Sequence, residues 1–424
     1  MTAASSTAEM RGAKVFSVWF VVPESVADPA NPSGGNRYDL EVERALAECG
    51  WQLQMCLMAG DWPRPTEDHQ SALAEVLGAM PDGATVMIDG LIGCAAPQIL
   101  ESEGRRLRVV VLVHMPLADE IGLDPAVGRA LEASEARALR CATTVIATSL
   151  HTASQLLGRY GLEREKVHVA APGVHLPQQA VDAGGERLVL DVETVTDLDD
   201  KALVTAQAKL ARSTGGRWLS VGAVTPVKGH DRLVSALAPL ADDPRWELRI
   251  VGPTHRDPGH VATLLSLIDE AGLADRITLT GPLHGTDLET AYRWANLLLH
   301  PSRREAFGMA ITESLSYGTP VFTHYTGGMP DALGTIPDRV TPTGGRPRRH
   351  PGRLLDWDTS AWTSALREWL DDTDLQEELR DNARQRRHTL RTWNHTALET
   401  ISALCGDPAH VFPPRRPTMP EPWA

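Results

Sequence analysis

Two carboxylates, Glu305 and Glu313, lie in the segment Pro301-Ser302-Arg303-Arg304-Glu305-Ala306-Phe307-Gly308-Met309-Ala310-Ile311-Thr312-Glu313, between the apolar run Leu297 to His300 and an apolar helical pattern. That order reads as strand, loop and helix start, with Glu305 in the loop and Glu313 a little over one turn inside the helix. The backbone N–H groups of Gly308, Met309 and Ala310 lack intrahelical acceptors at such a start. Together with the helix dipole they favour an anion such as phosphate. A carboxylate pair beside an anion site suits a sugar nucleotide: the diphosphate takes the N–H groups, and ribose and hexose hydroxyls donate to the two ionised carboxylates. Other candidates gain meaning only from context. Taken singly, Lys228 is a surface lysine, His114 a satisfied core histidine and Gly34-Gly35 a turn. Lys228, however, stands in Pro226-Val227-Lys228-Gly229-His230-Asp231 ahead of a helix, His114 ends an apolar run before Met115-Pro116-Leu117, and Ser33-Gly34-Gly35 follows the first strand.

The elements that must hold these residues are legible as alternating apolar runs and amphipathic stretches, the pattern of a parallel sheet wrapped by helices. In the first half, strands are expected at Val15 to Val22, Gln52 to Met58, Thr85 to Asp89, Arg108 to His114, Thr143 to Thr148 and Val167 to Ala170. Helices are expected near Tyr38 to Cys49, Ser71 to Met80, Ala126 to Arg140 and Thr152 to Tyr160. The same grammar returns with strands near Trp218 to Val221, Glu247 to Val251, Ile277 to Thr280, Leu297 to His300 and Pro320 to Thr323, and with helices between them. The expectation is therefore an α/β chain of two Rossmann-like, doubly wound domains: 1–176, a polar acidic linker at 177–214, and 215–358. Charged C-terminal helices at 359–405 pack back on the first domain, and a proline-rich tail follows at 406–424.

The Glu305 to Glu313 stretch resembles the signature of the family 4 glycosyltransferases of the GT-B fold, two glutamates separated by seven residues in a Glu-Gly-Phe-Gly-like context. The resemblance extends through Val221-Gly222-Ala223-Val224-Thr225-Pro226-Val227-Lys228-Gly229, Arg256-Asp257-Pro258 and Gly327-Gly328-Met329-Pro330-Asp331. In the first domain it takes in Ser33-Gly34-Gly35, Val113-His114-Met115-Pro116 and Ala171-Pro172-Gly173-Val174, so that about residues 15 to 335 are covered. It implies two domains facing across a cleft, the acceptor on the first and the nucleotide-sugar donor on the second. In that scheme Glu313 binds the ribose, Glu305 the donor hexose and Lys228 the diphosphate. Gly35 lets backbone approach the phosphates, and His114 faces the reacting sugar. The implied reaction is retaining transfer of a hexose-type sugar, from a UDP-sugar before a GDP-sugar, to a small-molecule or glycoconjugate acceptor. Ala223 stands where many members carry an arginine for the diphosphate, with Arg303, Arg304 and Arg256 as candidate replacements; Ala306 in place of a glycine and Asp331 in place of a glutamate are mild departures.

Composition narrows the alternatives. The 424 residues carry a net charge of -14, which disfavours nucleic acid and anionic membrane surfaces. The basic runs Arg346 to Arg353 and Arg384 to His388 read as solvated charge. Five scattered cysteines without ligand spacing argue against zinc and against a disulfide framework and fit a cytoplasmic protein, and the run Val15 to Val22 is too short to span a membrane. Asp197-Leu198-Asp199 imitates a metal-binding pair but lies in the polar linker, so neither metal nor other cofactor is expected. No G-x-G-x-x-G, P-loop or G-x-S-x-G pattern is present. The readings that remain beside a transferase are a GT-B-fold sugar-nucleotide epimerase and a non-catalytic sugar-nucleotide-binding protein. Acceptor identity and oligomeric state are not encoded in any motif.

Overall fold

The computed structural model describes residues 16–30, 32–177, 215–336 and 349–406. Asp197, Asp199 and the proline-rich tail from Phe412 lie outside the described residues.

The first sheet contains β1 (Phe16–Pro23), β2 (Trp51–Met58), β3 (Thr85–Asp89), β4 (Arg108–Val113), β5 (Thr144–Ala147) and β6 (Val167–Val169), in the order β2-β1-β3-β4-β5-β6. The second contains β7 (Arg217–Val221), β8 (Glu247–Val251), β9 (Ile277–Gly281), β10 (Leu297–His300), β11 (Val321–His324) and β12 (Gly352–Leu355), in the order β12-β11-β10-β7-β8-β9. All the pairings within both sheets are parallel. Parallel strands are covered by helices on both faces, so central strands must be apolar on both. The sequence obeys: Val109 to Val113 of β4 and all of β5 and β10 are buried. Each sheet reverses its winding once, between β1 and β3 in the first lobe and between β7 and β10 in the second. Loops diverge at such switch points and leave a crevice at the carboxyl ends of the strands. The site residues all follow strand ends there or nearby.

The structure departs from the sequence reading at several places. The helix Gly34–Glu48 begins four residues before Tyr38, because the Ser33 hydroxyl accepts from the Asn36 N–H (3.0 Å) and caps it. Gly34 and Gly35 thus form the first helical turn instead of a bare loop. The strand β12 lies within residues expected to be a solvated basic loop. It adds to β11, and its Arg353 forms a two-pronged pair with Glu368 at 2.6 Å. Gly352 and Arg353 take half of its four positions and hide it from a hydrophobicity pattern. Arg386 and Arg387, in the other basic run, donate to the carbonyls of Leu333 (3.1 Å) and Pro177 (2.6 Å), so they stitch backbone instead of facing water.

The C-terminal helices divide between the lobes. Thr359–Asp371 and Thr373–Arg387 stay with the second: Trp362, Leu366 and Trp369 enter its core with Trp218, Trp246 and Phe322. Only Trp393–Cys405 crosses back to the first lobe, burying Trp393, Ala397 and Leu404 against Tyr38, Val42 and Leu46. The expectation that the whole 359–405 segment returns is corrected accordingly. The tryptophans, placed at helical spacing, needed a large apolar neighbour, and the second sheet supplies it.

Candidate active site

The two switch points face each other across a cleft of about 340 Å³. Gly35, His114, Lys228, Glu305, Gly308, Met309, Ala310 and Glu313 all line it.

On the second-lobe wall, Lys228 closes the short turn Pro226–Lys228 after β7, and its Nζ lies 2.6 Å from Glu305 Oε2. Glu305 follows β10, whose last residue, His300, has Nε2 3.4 Å from the same oxygen. Burial opposes ionisation of Glu305, but the Lys228 ammonium and the His300 ring outweigh it and hold the carboxyl well below the usual range. The loop is fixed from behind: the Gly328 N–H donates to the Glu305 carbonyl (3.0 Å). A Cβ on Gly327, which has φ +57°, would lie 2.0 Å from that carbonyl oxygen, so only glycine permits the approach. Glu313, on the helix Met309–Ser316, is buried and accepts from the Tyr292 hydroxyl (2.6 Å). Arg37 of the first lobe also reaches it, with Nη1 2.5 Å from Oε1.

On the first-lobe wall, His114 follows β4 directly. Its Nε2 lies 2.9 Å from Asp39 Oδ1 and 3.7 Å from Asp89 Oδ2, where Asp89 is the last residue of β3. Gly35 packs so closely that a Cβ there would sit 3.2 Å from His114 Cδ2. Burial works against charging the imidazole, yet Asp39 and then Asp89 outweigh it and hold the His114 pKa up at about 9. Burial and the neighbouring Asp39 push Asp89 up to about 7. The three ligand atoms lie within 4.8 Å of one another, close enough to hold a metal ion, and His114 Nε2 is hydrogen-bonded to Asp39. The arrangement is that of an imidazolium held on a carboxylate pair.

That electrostatics predicts a pH dependence. A histidine whose folded pKa exceeds its unfolded value adds stability that is complete below about 6.5 and is lost as pH rises through about 9. Asp89, with a raised carboxyl pKa, acts in the same direction below that window: it loses stability as pH rises from its unfolded value to about 7. Melting temperature should therefore decline between pH 7 and 10, and Asp39→Asn should flatten that decline. Thermal melts of both proteins at four pH values check it; parallel curves would contradict the His114–Asp39 coupling.

Comparison with known proteins supplies the frame for this geometry. Residues 205–386 match the family model described as glycosyl transferases group 1. D-inositol 3-phosphate glycosyltransferases of Jonesia denitrificans and Salinispora arenicola are 28% and 30% identical over 281 and 283 residues, each alignment covering 65% of this chain. The chain spans only 59% and 57% of those curated relatives. Sucrose-phosphate synthase from Thermosynechococcus elongatus superposes with a TM-score of 0.67 at 20% identity, covering 91% of this chain and 98% of that one. Anabaena HepE, solved in complex with UDP and glucose, gives 0.64 at 14% identity, covering 92% and 99%. The fold is GT-B.

Within this GT-B cleft the three arginines considered as replacements at Ala223 separate. Arg303 is held by Asp231 (2.5 Å) and Arg304 donates to the Asp119 carbonyl across the lobes (2.6 Å). Arg256 lines the cleft and donates to the Pro32 carbonyl (2.9 Å), next to the Ser33 cap. The sequence reading missed Arg37, Asp39, Asp89, Tyr292 and His300. Arg37 stands two residues past Gly35, and Asp89 and His300 end strands that were correctly expected, so strand-end position was the available signal. Asp39 and Tyr292 sit in helices with nothing local to mark them. Among the described residues no helix is long and apolar enough to cross a membrane.

Proposed function

We propose that the chain is a retaining, metal-independent glycosyltransferase of family 4 that takes a hexose-type sugar from a nucleotide-sugar donor. The observation that carries the reading is the convergence of Lys228, Glu305 and Glu313 at one switch point, opposite His114 at the end of β4. In this mechanism the donor ribose binds Glu313. The diphosphate lies against the amides of Gly308, Met309 and Ala310 and is neutralised by Lys228 as it leaves. The oxocarbenium-like sugar forms between Glu305 and His114, and the acceptor hydroxyl attacks from the face the phosphate leaves, passing its proton to the departing diphosphate. Gly35 admits backbone to the phosphates. Two of the matched proteins guide the substrates to try first: UDP-glucose, after the UDP and glucose held by HepE, and inositol 3-phosphate, after the name of the curated relatives. The five free cysteines support a reducing, cytoplasmic setting.

A thermal-shift panel of UDP-, GDP-, dTDP- and ADP-sugars tests the donor class. A donor at a hundredfold excess over its dissociation constant should raise apparent stability by about 2.7 kcal/mol; no shift with any of them would remove the reading. Activity should survive an excess of EDTA. Reversible loss on chelation would instead assign a metal to the cluster of Asp39, Asp89 and His114.

A further inference from the structure

Glu313, which the proposed mechanism gives to the donor ribose, is already occupied. Its Oε2 accepts from the Tyr292 hydroxyl and its Oε1 is paired with Arg37, which reaches it from the opposite lobe and hence from the side a ligand enters. A carboxylate offers about four lone-pair sites, so about two remain, but a ribose diol must reach them from the cleft, where the Arg37 guanidinium stands. Tyr292 is 3% exposed, stacks on Tyr317 with centroids 5.5 Å apart and belongs to the same lobe as Glu313. The Arg37 side chain is 38% exposed and belongs to the other lobe, on the helix Gly34–Glu48. Arg37 is the group that can move. A cleft of about 340 Å³ is at the small end for a ligand pocket, roughly 300 to 1,000 Å³, as expected with an arginine lying across it.

Where the freed guanidinium goes is limited by the same cleft. Arg37 starts from the first helical turn, two residues after Gly35, and shares the cleft with Ala223 and Lys228. A diphosphate carries more charge than one lysine neutralises, and a guanidinium binds phosphate oxygens through two parallel N–H groups. We propose that Arg37 is an exchange residue of the donor site: in the empty cleft it neutralises Glu313, and on donor binding the ribose hydroxyls replace it there while it turns onto the diphosphate. It thereby supplies charge that a side chain at Ala223 does not. This rests on the nucleotide-sugar reading above.

The test uses opposite signs. The full chain is titrated by calorimetry with UDP, GDP, ADP and dTDP; for the diphosphate that binds, its nucleoside is then titrated, in the wild type, Arg37→Gln and Arg37→Lys. In Arg37→Gln the nucleoside should bind about threefold tighter, because its competitor for Glu313 is gone, and the diphosphate about tenfold weaker, because a phosphate cation is gone. Arg37→Lys should restore the diphosphate affinity to within about threefold of wild type. A strut that merely holds the lobes together would move both ligands in one direction. Changes of one sign, no change, or failure of the lysine to restore would overturn the proposal and leave the nucleotide reading intact. A wild type that binds none of the four diphosphates would overturn both.

Discussion

Lys228→Ala is expected to lower turnover by about a hundred- to a thousandfold while changing donor KM by less than about tenfold. The effect is differential. In the resting cleft the Lys228 ammonium sits 2.6 Å from Glu305 and is half-satisfied before any donor arrives, so its interaction with the ground-state diphosphate is partly offset by what it gives up. Charge accumulates on the diphosphate as the glycosidic bond breaks, and it is then that the ammonium acts most. With Ala223 offering no cation beside it, less is left to compensate. Because Glu305 loses its main counter-charge in this variant, a far-ultraviolet spectrum and a nucleoside titration confirm that the fold and the base and ribose contacts persist. Near wild-type kinetics would remove Lys228 from the diphosphate.

The second large effect is on affinity. Glu313→Ala should raise donor KM, and the dissociation constant for the nucleoside diphosphate, on the order of a hundredfold or more, since hydrogen bonds to a charged acceptor contribute about 1.5–3 kcal/mol each and a diol makes two. Turnover at saturating donor should fall less, because the ribose lies away from the reacting bond and its contact is uniform through the reaction. Tyr292 and Arg37 both lose their partner, so Glu313→Gln, which keeps the shape and one acceptor, is the companion variant and should fall between. Equal losses in turnover and affinity would argue that Glu313 holds the helix and the arginine in place instead of the donor.

The strands that lead to those residues were readable without coordinates for a physical reason, whereas the roles of Lys228 and Glu313 came from the family resemblance. Strands buried on both faces leave a nearly continuous apolar signal, so β3, β4, β8 and β10 were located to within a residue or so, and the residue types that follow a strand end at a switch point are the ones that meet ligand. His114, Lys228 and Glu305 all follow strand ends and line the cleft. What could not be read depends on pairing across long separations. The Asp39 carboxylate meets His114 only because the fold brings the helix Gly34–Glu48 to the end of β4, 75 residues away in sequence, and Arg37 meets Glu313 only because the two lobes meet. The strand β12 was invisible because an edge strand with Gly352 and Arg353 has the composition of a loop. The helix Thr359–Asp371 was recognised, but its partner was not, since an amphipathic face states that it is buried and not against what.

The central claim is that this cleft cleaves the bond between sugar and diphosphate and leaves the anomeric centre as it was. The most direct measurement is proton NMR of the wild-type protein incubated with the sugar nucleotide it binds most tightly, with water as the default acceptor and inositol 3-phosphate as the first added one. The account predicts release of nucleoside diphosphate with the sugar first appearing in the anomeric configuration of the donor, suppressed in Lys228→Ala. Recovery of a bound donor unchanged with either acceptor, or first appearance of the inverted anomer, would contradict it.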